Sequence, residues 1–363
     1  MAARADRLSG LSRTEIGVLA AIAVVTVLAG VTRYAEGVSR VIAFVLATLA
    51  LAGMAWIVAL ATEQVGERLG PAATGLMQST VGNLPEFFVV IFALEAGQKV
   101  VAETAILGSI LVNALLVLGL VIIAGASRER DRDGIMRFSA RLPNDTATLL
   151  LVASFIIALL GLAHGAGDPA SRHSKTISII GAVAILLVYA TWLRQYLTSP
   201  ETAGRRSDEP PRLGLPISIA LLVVAGTASA FVSDWFVNAL QPTIETLHIS
   251  QAFAGLVIVA IAGNAVENVA GIVLAAKGQS DLAISVVKNS VAQIAAFLYP
   301  LLVLVSLLTA TTLTFSLAPV YIGALFGTAV IVWQITGDGE ATVFEGTALV
   351  ATFVILATVA AFE

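Results

Sequence analysis

Val81-Gly82-Asn83-Leu84-Pro85-Glu86 and Ala262-Gly263-Asn264-Ala265-Val266-Glu267 carry the same Gly-Asn-x-x-Glu phrase 181 residues apart, each inside a long apolar run. Sliding the chain along itself by that offset also lays Ser109 on Ser290, and it brings the second to sixth apolar runs onto the seventh to eleventh. The repeated unit therefore holds five runs. An odd number of crossings sends the second copy into a membrane from the opposite face, so the spacing predicts two inverted five-helix repeats related by a pseudo-two-fold axis in the membrane plane. That architecture points to a secondary transporter with its substrate site near the bilayer midplane.

Composition agrees with a membrane setting. The chain has 363 residues, 58% hydrophobic and 12% charged, with a mean hydropathy of +0.94; a soluble domain carries about 25% charged residues. An ordinary soluble enzyme is excluded, and the apolar runs are too long for the strands of an outer-membrane barrel, about ten residues each. The fold class predicted is an all-α membrane protein of eleven transmembrane helices, at about 16–32, 41–62, 72–96, 101–125, 146–163, 174–197, 214–237, 250–276, 281–307, 315–334 and 341–361. The domains expected are 1–36, an N-terminal segment with one leading helix; 37–197, the first repeat; 198–213, a cytoplasmic linker; and 214–363, the second repeat. Arg4, Arg7 and Arg13 before the first run mimic a signal peptide, but Val31-Thr32-Arg33-Tyr34 is no small-residue cleavage site, and the first helix is expected to stay.

Charge sets the orientation. With the N-terminus inside, fourteen of the 20 Lys and Arg fall on cytoplasmic segments, and only Arg33, Arg40, Lys99, Arg172 and Lys175 fall outside. The positive-inside bias predicts a cytoplasmic N-terminus and an external C-terminus, in a plasma (inner) membrane. The net charge of −4 offers no basic field for nucleic acid, so the bilayer and small ions are the partners expected. With no cysteine and only three histidines, thiolate and zinc sites are not expected. The chain shows no His-Glu-x-x-His pair, no Gly-x-Ser-x-Gly elbow and no cofactor fingerprint, so neither an enzyme nor a cofactor is predicted.

A carboxylate in the middle of an apolar helix costs at least about 2.5 kcal/mol and is a functional site by default. Glu86 and Glu267 are two such groups at repeat-related positions, and Asn83 and Asn264 share a helix face with them at i, i+3. Pro85 has no N–H to return to the carbonyl of Val81, which leaves that oxygen as a further ligand. Two carboxylates, two amides and loosened backbone make a hard-oxygen set at the repeat interface, suited to Ca²⁺. Ser109 and Asn113, with Asn289, Ser290 and Gln293, form a second polar set at similar depth; side chains of this kind also serve helix packing in membranes. Glu63, Glu67, Glu95, Glu103 and Asp281 lie near helix ends, where snorkelling or capping is the default. Glu345, one turn into the last helix, is read either as such a group or as part of an ion path.

At these motifs the sequence resembles the calcium/proton antiporters, the CAX-type branch of the calcium/cation antiporter superfamily. Nearly the whole chain takes part, most densely at 66–125 and 250–307, with Gly108-Ser-Ile-Leu-Val-Asn-Ala-Leu-Leu-Val-Leu-Gly119 and Gln293-Ile-Ala-Ala-Phe-Leu-Tyr-Pro-Leu-Leu-Val-Leu-Val305 especially close. The resemblance implies exchange of cytoplasmic Ca²⁺ for protons by alternating access. It makes Glu86 and Glu267 the carriers of both ions, lined by Asn83, Asn264, Ser109, Asn113, Ser290 and Gln293. Ca²⁺ and H⁺ are then substrates, with no resident cofactor. Sodium/calcium exchangers are similar in architecture but usually read Gly-Thr-Ser-x-Pro-Glu, so Gly-Asn favours the proton-coupled branch while Pro85 is a sodium-type feature. A Na⁺-coupled or other divalent-cation exchanger is the alternative, followed by a cation channel.

Two departures fall at the site. Asn268 stands where the family often has His, and Asn289-Ser-Val-Ala-Gln293, preceded by Lys288, stands for Gly-Ser-Ser-Thr-Gln. Asn268, Asn289 and Lys288 are therefore candidate modulators. For Lys288 two readings stand: it snorkels or pairs with Asp281, or its ammonium reaches toward Glu267 or Glu86 as a tethered competitor of the cation.

Overall fold

The computed structural model describes residues 10–69, 77, 81–129, 133–198 and 212–363. Most of the start of the predicted third run, most of the linker, and Arg4, Arg7, Arg130, Arg132, Arg205 and Arg206 lie outside them. The described chain is helical throughout except for a two-stranded ribbon and short connections. Its helices are α1 (Arg13–Tyr34), α2 (Arg40–Leu69), α3 (Leu84–Glu95), α4 (Lys99–Arg128), α5 (Arg141–Gly165), α6 (Ser174–Thr198), α7 (Leu215–Leu247), α8 (Gln251–Gly263), α9 (Ala265–Ala276), α10 (Ser280–Leu308), α11 (Pro319–Thr336) and α12 (Val343–Ala361). Among the described residues nine helices are long and apolar enough to cross a membrane, and the pair α8 and α9, bent by 63°, makes a tenth span if counted as one.

Two compact units emerge. The first comprises Met1–Phe92 and Leu193–His248, the second Ala93–Trp192 and Ile249–Glu363. In the first unit α1, α2 and α7 pack closely where side chains are small: a Cβ on Gly53 would lie 2.8 Å from Ile22, and one on Gly30 would lie 2.9 Å from Trp235. Phe44 and Phe236 stack between α2 and α7 with ring centroids 5.1 Å apart. The entry to α7 is tied down by Gln64 of α2, whose Oε1 accepts from Arg212 N at 2.8 Å and Leu213 N at 3.0 Å. Leu11, Leu60 and Leu213 close a small apolar cluster there, and Arg212 pairs with Glu15 at 2.9 Å.

α7 runs ten residues past the predicted end at 237. Asp234 and Asn238 ended the apolar count, but Asn238 Nδ2 donates back to the Asp234 carbonyl at 2.8 Å and the helix continues through Pro242. It stops at His248, whose φ of 55° is the left-handed conformation common at helix ends. A helix of that length is about 50 Å long, more than the hydrocarbon thickness of about 30 Å, so polarity at its end marks where it leaves the apolar layer and not where it stops.

In the second unit α4 is the buried axis. It meets α8 where both carry glycine: a Cβ on Gly108 would fall 2.3 Å from the Leu256 carbonyl oxygen, and one on Gly255 would fall 2.0 Å from Thr104 Oγ1 and 2.9 Å from the Val101 oxygen. It meets α12 at a second glycine pair, Gly119 and Gly346, each facing the other's carbonyl. Among the described residues π-helix is found at Val112–Val117 in α4, Ala254–Val259 in α8 and Ile294–Leu298 in α10, and also at Val81 and Gly82 ahead of α3. Pro300 supplies the cause in α10, since it cannot donate to the carbonyl four residues back. The 181-residue offset nearly superposes the first and third of these stretches.

One end of this unit is laced together. β1 (Ile135–Arg137) pairs antiparallel with β2 (Glu340–Thr342). Arg128 donates to the Ala276 carbonyl, Ser139 N to Asp281 Oδ1 at 2.7 Å, and Asn144 Nδ2 to the Gly337 carbonyl. Arg137 pairs with Glu340 at 3.1 Å and with Asp133 at 2.7 Å, and this hydrogen bond from Arg137, helped by the Ile135 N–H, holds the Asp133 carboxyl below the usual carboxylate range. All three connections joined here are ones the charge count puts on the inner side. At the other end Ser250 bonds the Ala360 carbonyl.

Candidate functional site

Gly-Asn-x-x-Glu reads at first as a capping box, an Asn at the N-cap with a Glu three residues on. The backbone obeys that reading in both copies. Asn83 precedes α3 and its carbonyl accepts from Phe87 N at 3.0 Å; Asn264 precedes α9 and accepts from Asn268 N at 3.0 Å. Glu86 and Glu267 are each the third residue of their helix, in the first turn, where the helix dipole favours a carboxylate. The side chain departs from it in the second copy. Asn264 makes no side-chain capping bond, so its amide is released from the task its position suggests.

In the first unit Asn83 is 2% exposed and Glu86 8%. Among the described residues Asn83 Nδ2 has no hydrogen-bond partner, and the Pro85 carbonyl between the two residues accepts from Ser233 Oγ of α7 at 3.4 Å. Ser233 is fully buried and was not singled out by sequence; nothing distinguishes it from the other small polar residues of that helix.

In the second unit a continuous hydrogen-bonded chain forms. Asn264 Nδ2 donates to the Ala260 carbonyl and to Ser109 Oγ, both at 3.0 Å. Asn113 Nδ2 donates to Asn264 Oδ1 at 2.9 Å and to Ser290 Oγ at 3.2 Å, and Ser290 Oγ donates to Glu267 Oε2. Four of the residues predicted from sequence, from α4, the α8–α9 break and α10, are thus linked to one carboxylate, Glu267 of α9. The break itself is produced by Asn264, whose φ of −99° and ψ of 10° end α8 before α9 begins. Gln293 is 8% exposed, and among the described residues Asn268 and Asn289 each keep a buried amide oxygen without a partner.

Lys288 follows neither sequence reading. Its side chain is 2% exposed, so it does not snorkel, and its Nζ donates to Thr336 Oγ1 of α11 at 3.2 Å, while Asp281 is engaged by Ser139. Two residues are about 200° of helix turn, so with Ser290 facing Glu267, Lys288 faces the far side of α10. Glu345 is likewise settled as a cap: with Thr342 it forms a capping box at the start of α12, its carboxylate accepting from Thr342 N at 2.8 Å.

The chain is similar to known proteins in sequence and fold. Residues 39–194 and 217–362 match the sequence model of the family described as sodium/calcium exchanger protein. The vacuolar calcium ion transporter of Schizosaccharomyces pombe is 33% identical over 319 residues, covering 86% of this chain and 77% of that protein. A Ca²⁺/H⁺ antiporter of Synechocystis is 30% identical over 334 residues, covering 86% and 89%. Among solved structures, native YfkE superposes with a TM-score of 0.77 at 25% identity, covering 96% of this chain and 99% of that one.

Proposed function

Because the chain belongs to the sodium/calcium exchanger protein family, we propose that it is a Ca²⁺/H⁺ antiporter whose two motif glutamates carry both ions. The observation that carries this reading is the common build of Glu86 and Glu267, each the third residue of its helix, in the first turn after a buried asparagine. The calcium transporter of S. pombe and the Ca²⁺/H⁺ antiporter of Synechocystis support the choice of ions. Hard oxygens fit Ca²⁺, and carboxylates also accept protons.

The coupling follows from electrostatics. Each ionised carboxylate at membrane depth is costly, so the empty, doubly charged carrier reorients badly. Either Ca²⁺ or protons neutralise it, and each displaces the other. Protons entering down their gradient discharge Ca²⁺ outward, which makes export from the cytoplasm the direction of work.

The full architecture proposed is eleven helices, one leading and then two inverted repeats at 37–197 and 214–363. The two stretches matched by the family model and the π-turns repeated at the motif offset support it. Three connections of the second unit meet at one end, as this count of crossings requires, and the Lys and Arg bias turns that end inward, for an N-inside, C-outside orientation in a plasma membrane. A reporter fused after Glu363 is expected to be active only outside; cytoplasmic activity alone means that the helix count has the wrong parity.

The reading is tested by ⁴⁵Ca²⁺ uptake in sealed vesicles with Na⁺, Mg²⁺ or Mn²⁺ as competitors. Uptake driven by a pH gradient in the absence of Na⁺ is the expected result. Uptake that needs a Na⁺ gradient moves the chain to the sodium-coupled branch, and flux with no counter-ion makes it a channel.

A further inference from the structure

Resting on the reading above, we propose that the two motif asparagines do different work: Asn83 offers its amide oxygen to the cation, whereas Asn264 is a positioning residue that aims Ser290 at Glu267. The inference starts from one backbone atom. The Ala260 carbonyl can only accept, so the Asn264 group 3.0 Å from it is the amide nitrogen. That places Asn264 Oδ1 toward Asn113, 2.9 Å away, and requires the nitrogen of Asn113 there. The same nitrogen lies 3.2 Å from Ser290 Oγ, which therefore accepts and sends its own hydrogen to Glu267 Oε2.

Every donor direction in this chain is set by the one before it. Asn264 is engaged at both amide atoms, 3% exposed, and Ser109 takes its second N–H. Asn113, which has Ile294 at the repeat-related position, has no counterpart in the other copy, so the relay cannot be symmetric.

Asn83 stands in contrast. It is as deeply buried and its carbonyl does the same backbone work, and yet its amide nitrogen has no hydrogen-bond partner among the described residues. A buried amide nitrogen left without an acceptor is unusual, because leaving such a group unsatisfied costs about 1–3 kcal/mol. Turning the Asn83 amide toward a cation breaks no bond from that nitrogen. Asn264 has to break two or three to do so.

Aspartate separates the two roles, because it keeps the oxygens of asparagine and removes both N–H donors. In Asn83→Asp, a carboxylate replaces a neutral ligand, and Ca²⁺ binding to the purified protein is expected to tighten by about tenfold, since ligand charge is a main control on Ca²⁺ affinity. In Asn264→Asp, a carboxylate oxygen is set against the Ala260 carbonyl and the relay loses its origin; binding is expected to weaken by about tenfold or more. The two variants move in opposite directions. Ser109→Ala, a small change that removes the acceptor of one Asn264 N–H, is expected to weaken binding in the same direction as Asn264→Asp, which keeps the assignment testable should that variant fail to fold.

Calorimetric Ca²⁺ titration of wild type and the three variants in detergent reads the result. Equal shifts of the same sign for Asn83→Asp and Asn264→Asp, or tighter binding in Asn264→Asp, overturn the division of labour, as does unchanged binding in Ser109→Ala. A wild type that binds no Ca²⁺ overturns the functional reading itself, and this assignment falls with it.

Discussion

Glu267→Gln is expected to reduce proton-driven Ca²⁺ exchange by at least about a hundredfold while the protein remains folded and inserted. Gln keeps the shape of the side chain and an oxygen able to accept from Ser290 Oγ, so the relay through Asn113 and Asn264 is left standing. What goes is the charge that attracts Ca²⁺ and the group that takes up the proton in its place. Glu86→Gln is expected to do the same from the first repeat, where the carboxylate occupies the same third position of its helix. The assay is ⁴⁵Ca²⁺ uptake into proteoliposomes, with thermal stability in detergent as the control for folding. Near-wild-type uptake in either variant would remove that glutamate from the ion path.

Gly108→Ala is expected to be the most damaging single methyl in the second unit. Its Cβ would sit 2.3 Å from the oxygen and 2.6 Å from the Cα of Leu256, and both are backbone, so no side chain can swing aside. α4 and α8 would have to separate, at a cost of about 3 kcal/mol. The separation also moves Ser109, the adjacent residue, off Asn264, so Ca²⁺ affinity is expected to fall together with the melting temperature. Gly323→Ala in α11 is the matched control. Nothing lies within 4 Å of its Cβ, and alanine is the better helix former by about 1 kcal/mol, so that variant is expected to be as stable as wild type or slightly more so. Equal melting temperatures for the two variants would show that the α4–α8 crossing is looser than its geometry states.

The contrast between these glycines explains what a sequence reader can and cannot see. Both look alike inside an apolar run, and only the backbone that crosses Gly108 makes it irreplaceable. The helices themselves were legible because about twenty apolar residues in a row admit few other structures in a bilayer. Their ends were less so: α2 continues through Glu63 and Gln64 to Leu69, and α7 through Pro242 to Leu247, because hydropathy marks the apolar layer and not the hydrogen-bonded helix.

The site was legible as a residue list and much less as a circuit. Repetition singled out Asn264, Glu267, Ser109 and Ser290, and the structure joins them through Asn113. Lys288 was read by its distance along the helix from Asp281, but rotation about the helix axis sends it to Thr336 on α11, a partner 48 residues away with no mark of its own in the sequence. Glu345 was ambiguous for the opposite reason: a capping box and a buried carboxylate look the same until the Thr342 contacts are visible. Gln293, expected among the lining residues, is buried just before a π-turn whose widening depends on Pro300 downstream.

Obligatory exchange of Ca²⁺ for protons is most directly tested by recording both ions at once. Purified protein is sealed in liposomes with an internal pH dye, Na⁺ is left out of all solutions, and ⁴⁵Ca²⁺ is added outside with the lumen acidified. The account predicts Ca²⁺ entry accompanied by alkalinisation of the lumen, with both signals lost in Glu86→Gln and in Glu267→Gln. Ca²⁺ entry with no proton movement when the membrane potential is clamped, or proton-coupled entry that survives in both variants, would contradict it.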